Sequence, residues 1–142
     1  MPPAFTSTGK LLAVMDDVAS ARAAVTALEG ARFSHDAVVL LEGTDAADAI
    51  GGKNGGRWSR LNQAVAFWQA DQAVDLATYE AAVRDGRAVI AVRIPNGDAR
   101  ERAVKTLRGS GAHFINYYGR LVTEDIVPWR GERPDVSWRS HR

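Results

Sequence analysis

The chain has 142 residues, 46% of them hydrophobic and 25% charged, with a formal net charge of +1, as expected of one globular domain with its own core. It contains no cysteine, which excludes disulfides, thiolate catalysis and cysteine-held metal sites. No apolar run approaches the ~20 residues that span a bilayer, and the first ten residues lack the basic and apolar stretches of a signal peptide, so a cytoplasmic protein without a membrane role is expected.

Leu11-Leu12-Ala13-Val14-Met15 is a continuous apolar run and reads as a strand. Asp16-Asp17 ends it and suits a helix N-cap, because a carboxylate accepts the unpaired N–H groups of a first turn. Val18, Ala21, Val25 and Leu28 then recur at spacings of 3, 4 and 3, predicting a helix with Gly30 as its left-handed C-terminal cap. Ala37–Leu41 is a second apolar strand.

Residues from about 43 to 76 read as an insertion. It carries the turn-rich run Gly51-Gly52-Lys53-Asn54-Gly55-Gly56, then Trp58, Leu61, Val65 and Trp68 at helical spacing. An inserted helix is expected there. The glycine run with Lys53 and Arg57 resembles a phosphate cradle, but no strand precedes it, so it reads as a linker.

Beyond the insertion, a helix holding Tyr79 to Val83 ends at Asp85-Gly86, and Ala88–Arg93 forms the next strand. Pro95-Asn96-Gly97-Asp98 is a turn, with Asp98 and Glu101 spaced as a capping box. Ala103, Val104 and Leu107 line the helix, Gly109-Ser110-Gly111 ends it, and His113–Gly119 is the last strand. Residues 128–142 form a tail of alternating Trp and Arg. Its four arginines face only Glu132 and Asp135, too thin a charge to predict nucleic-acid binding.

The chain states one pattern twice. Ala24-Val25-x-x-Leu28-x-Gly30 returns 79 positions later as Ala103-Val104-x-x-Leu107-x-Gly109, each time between two apolar strands. Two strand–helix–strand units predict an α+β, ferredoxin-like antiparallel sheet over residues 1–127, with the helical insertion between its halves. The first three strands are apolar on both faces, whereas helices in that fold cover one face only. Something must cover the other, so a homodimer or higher homo-oligomer is expected, with the insertion as the alternative cover.

The order strand–helix–strand, Gly-rich insertion, Tyr79-Glu80-Ala81-Ala82-Val83-Arg84-Asp85-Gly86-Arg87, strand, helix, then Gly111-Ala112 before a last strand resembles the bacterial general stress and heat-induced stress proteins. The likeness spans most of Lys10 to Tyr118. It implies a ferredoxin-like fold and a stress-linked, non-catalytic binding or scaffolding role, and it carries over no functional residue. In those proteins the insertion is often longer and more apolar.

The richest chemical stretch is His113-Phe114-Ile115-Asn116-Tyr117-Tyr118-Gly119-Arg120. Alternation puts His113, Ile115 and Tyr117 on one face and Phe114, Asn116 and Tyr118 on the other, where an amide between aromatics could orient a planar ligand and Arg93 or Arg120 could meet its acidic group. An aromatic strand lining a core is the plainer reading. Trp68 and Tyr79 could wall a pocket between insertion and sheet. Asp71 is a general base there only if desolvated, and otherwise a helix cap. No two of His35, His113 and His141 stand at metal-ligand spacing, so no metal site is expected. The alternative is a small-ligand or haem binder, or an enzyme, built in the cavity of a dimeric αβ barrel from His113, Asn116, Tyr118 and an arginine. His113 would be its axial ligand or general base, although a histidine at a strand start reads more plainly as a hydrogen-bonded edge residue. The preferred reading is a non-enzymatic homo-oligomer that binds small molecules or acts as a scaffold.

Overall fold

The computed structural model describes residues 9–43, 46–47, 76–118 and 123–129, with backbone alone at 76–77 and 123–125. Strand β1 (Gly9–Met15) leads through helix α1 (Val18–Gly30) and a 3₁₀ turn (His35–Ala37) to β2 (Val38–Leu41). Helix α2 (Leu76–Arg84) precedes β3 (Ala88–Ile94), α3 (Gly97–Gly109), β4 (Phe114–Tyr118) and β5 (Thr123–Val127). The strands form one antiparallel sheet in the order β2-β3-β1-β4-β5, an α+β architecture compatible with a ferredoxin-like arrangement. β5 was not anticipated. Its pairing with β4 skips Ile126, and this bulge lets consecutive Ile126 and Val127 both pack on the same cluster.

The repeat is a structural one. Shifted by 79 positions, β1 matches β3 and α1 matches α3 end for end. Ala24, Leu28, Ala103 and Leu107 are fully buried against one sheet face with Leu11, Ala13, Ile90 and Val92. Ala21 and Ala99 complete the buried stripes, while Val18 and Val25 lie half-buried at the margin. Small residues at helical spacing let both helices sit close to the strands.

The caps correct the sequence reading in two places. Asp17 caps α1 as expected, its carboxylate accepting the Ser20 N–H at 2.7 Å. That bond holds the Asp17 carboxyl below its ordinary pKa. Asn96, not Asp98, caps α3 through the Ala99 N–H at 2.8 Å, so the helix starts earlier than the capping-box spacing suggests. Gly30 is the last helical residue rather than a left-handed cap, and Gly109 closes α3 in the same way. The left-handed positions come two residues later, at Arg32 (φ 76°) and Gly111 (φ 81°).

The three helices whose ends are described leave by the same hydrogen-bonded exit. Phe33 N–H bonds Leu28 O and Arg32 N–H bonds Glu29 O; Ala112 with Leu107 and Gly111 with Arg108 repeat the pair, as do Arg87 with Ala82 and Gly86 with Val83. This is the Schellman motif, which needs one left-handed residue. Gly86 and Gly111 fill it without a Cβ penalty, whereas Arg32 does not.

The second sheet face is covered by the chain itself. Leu12, Val14, Leu41, Val89 and Phe114 pack there against Tyr79, Ala82 and Val83 of α2, against Ala46 and Ala47, and against Trp129. Leu12 and Val14 are fully buried within one chain, so burial of this face requires no second copy.

Candidate functional site

Alternation along β4 carries Phe114, Asn116 and Tyr118 to the face that α2 covers, as the sequence predicts. One turn of α2 brings Tyr79 down onto them. The Tyr79 and Tyr118 hydroxyls lie 2.8 Å apart, and Asn116 Nδ2 donates to the Tyr118 hydroxyl at 3.2 Å. Tyr79 and Tyr118 are almost wholly buried, and Asn116 is 7% exposed. The other end of the amide, Oδ1, has no hydrogen-bond partner among the described residues. Leaving a buried acceptor unpaired costs about 1–3 kcal/mol, so this is an acceptor held at a cost.

The register puts Lys10 of β1 directly opposite both Tyr118 and Arg93. Lys10 is buried despite its charge, a case where the aliphatic stem covers apolar surface. Next to Tyr79, Glu80 is fully buried, and Arg84 donates to its Oε2 through Nε at 3.0 Å and Nη2 at 2.9 Å. These charge-assisted bonds fix the turn of α2 that presents Tyr79.

His113 does not join this group. It precedes β4, its N–H bonding the Val14 carbonyl at 2.8 Å, and so sits beyond the other end of the strand. Five residue steps along the strand put about 17 Å between it and Tyr118. Its Nδ1 lies 3.0 Å from Asp16 Oδ1, and its ring meets the edge of Trp129 at 4.7 Å. Trp129 also packs on Phe114 at 5.3 Å and lies under Arg87 at 5.4 Å. His113 Nε2 is buried with no partner among the described residues.

The expected constellation therefore divides. Tyr79, Asn116 and Tyr118 come together; His113 forms a separate centre with Asp16 and Trp129. Arg93 is exposed at the end of β3 and lines a depression near Phe33 and Pro95. Trp68, Asp71 and Arg120 lie outside the described residues. Asp16 was read only as a cap and Trp129 only as tail; nothing local in the sequence pairs either with a histidine 97 or 16 positions away. Lys10 was missed because a lysine at a strand start reads as solvated.

The paired groups of the first centre are two phenols and an amide, which can orient a ligand through hydrogen bonds. Among the described residues, no three His, Asp or Glu side chains converge as a metal site would require, and no helix is long and apolar enough to cross a membrane. No family model matches the chain, and no curated protein and no solved structure is similar to it.

Proposed function

We propose that this chain is a non-catalytic, stress-associated binding protein of ferredoxin-like fold, and that Tyr79, Tyr118 and Asn116 form its binding centre. The observation that carries the reading is Asn116 Oδ1, a buried acceptor with no partner among the described residues at the end of a hydroxyl chain. The ligand is a small molecule that offers an N–H or O–H to that oxygen. The helical insertion is the element that closes over it. Its two described flanks, Ala46-Ala47 and α2, already pack on this face. Homo-oligomerisation, in the cytoplasm, rests on the edge strand β5, where Ile126 and Val127 are half-buried beside Val104.

A dimeric αβ barrel with haem in its cavity has less support. Such a cavity needs the second sheet face open, and here Tyr79, Ala82, Val83 and Trp129 fill it. Native mass spectrometry of the purified protein, with its absorption spectrum, tests both readings. We expect a dimer carrying one small molecule per chain and no Soret band. In Asn116→Leu the bound mass should disappear while the dimer persists. A ligand-free dimer would remove the binding centre and leave a scaffold; a monomer would remove the oligomer.

A further inference from the structure

The two strand–helix–strand units differ at one strained position. Gly111 exits α3 in the left-handed conformation, as glycine should; its counterpart 79 positions earlier is Arg32, with φ 76°. Arg32 is the one non-glycine residue with positive φ among those described. A Cβ at that angle crowds the carbonyl, and an observed outlier of this kind points to a use for the side chain. That use is not internal. Arg32 is exposed, and its guanidinium has no ion pair or hydrogen bond among the described residues.

The side chain stands at the rim of a depression of about 280 Å³ that Arg93 and Arg102 also line. Arg102 is held in place from three sides. Its Nε donates to Ala31 O at 3.2 Å, its Nη1 to Asp98 Oδ2 at 3.0 Å, and its guanidinium lies 5.1 Å from the Phe33 ring centre. Those bonds use two of its five N–H groups, and the fork they leave is fixed before any ligand arrives. The acidic member of the lining is Asp36, and Asp98 pairs Arg102 from outside it, so three cations meet two anions. Asp36 belongs to the 3₁₀ turn, the segment that the second unit lacks. The depression thus forms where the repeat breaks.

We propose that Arg32, Arg93 and Arg102 form a binding site for a phosphate-type oxyanion, free or as the terminal group of a small monoester. Planar guanidinium groups bind such an oxyanion through paired N–H···O bonds. The volume holds that head group together with a small organic remainder. Pro95 and Ala99 offer the organic remainder an apolar wall, and Asp36 can accept one of its hydroxyls. The site is separate from the tyrosine–asparagine centre, and its test does not depend on that centre's occupancy.

An amide NMR titration of the whole chain with inorganic phosphate and with glycerol phosphate, against chloride at matched ionic strength, decides it. Saturable shifts are expected at residues 32–37, 93–96 and 99–102 with either phosphate. Tighter binding of the monoester would assign the remainder to the Pro95 wall. Arg32→Gly should weaken binding about tenfold or more, the loss of one charge-assisted contact, while its melting temperature stays level or rises. Arg32→Lys should bind at an intermediate level. Shifts that chloride reproduces, or wild-type affinity in Arg32→Gly, would overturn the proposal. So would a fall in melting temperature for Arg32→Gly, which would mean that the side chain serves the fold.

Discussion

The first strand–helix–strand unit and the second agree from Gly9 to Phe33 and from Ala88 to Ala112, and then part. Their common portion is what packing dictates: a seven-residue strand, a helix with small and leucine residues on one stripe, and a Schellman exit. Their differences sit at the corners, with Asp17 against Asn96 at the helix start and Arg32 against Gly111 at its end. The outgoing strands differ as well. β2 is wholly aliphatic, whereas β4 holds Asn116 and Tyr118 toward α2. A shared core tolerates no variation that loses contact, so specialisation collects in caps, exits and the last strand.

The comparison breaks most severely if the two helices are not equivalent in the core. Leu28→Ala and Leu107→Ala each remove a fully buried side chain and should each cost about 3 kcal/mol in urea denaturation, within the 2–5 kcal/mol usual for such a change. A large difference between them would show that the units do not bear equally on stability. The exits come next. Gly111→Arg imposes on the second unit the strain that the first already bears, and should cost about 1–2 kcal/mol by the same measurement. No loss would mean that this exit relaxes away from the left-handed region.

The caps give the smallest effect, legible only against pH. Asp17 has a lowered pKa in the folded chain, so its capping contribution is complete above the ordinary aspartate value and fades as pH falls through the lowered one. Between neutral pH and about pH 3, below the ordinary aspartate value, Asp17→Asn should flatten that decline in the urea midpoint. Asn96→Asp should steepen it. Unchanged slopes would mean that the charge at the cap is immaterial.

The helical stripes and doubly apolar strands were legible because burial demands particular residue types at particular periods. Ala24, Leu28, Ala103 and Leu107 could have little other use at that spacing. The exits were not. Gly30 looked like a cap, yet the hydrogen-bond pattern set the left-handed residue two places on, and an arginine there gives no local sign. Asp98 competed with Asn96 for the cap, and the nearer residue to the turn prevailed. Of the candidate site, alternation correctly joined Asn116 to Tyr118. It also set His113 apart from them, but could not reveal Tyr79 beside Asn116 and Tyr118 or the pairing of His113 with Asp16 and Trp129, which other elements bring in.

The strand order has a consequence for how the chain assembles. β1 lies at the centre of the sheet, yet both its neighbours, β3 and β4, come from the second half, and β2 pairs with β3 alone. During synthesis, residues 9–47 therefore emerge with two apolar strands that have no partner in each other. Sheet formation waits for β3, a long loop closure that slows folding and leaves those strands exposed in the interval. The same order makes the first half unable to form a sheet by itself and turns β3 into the piece that recruits it. Two fragments divided between Ala47 and Leu76, each incomplete alone, should find one another through that strand.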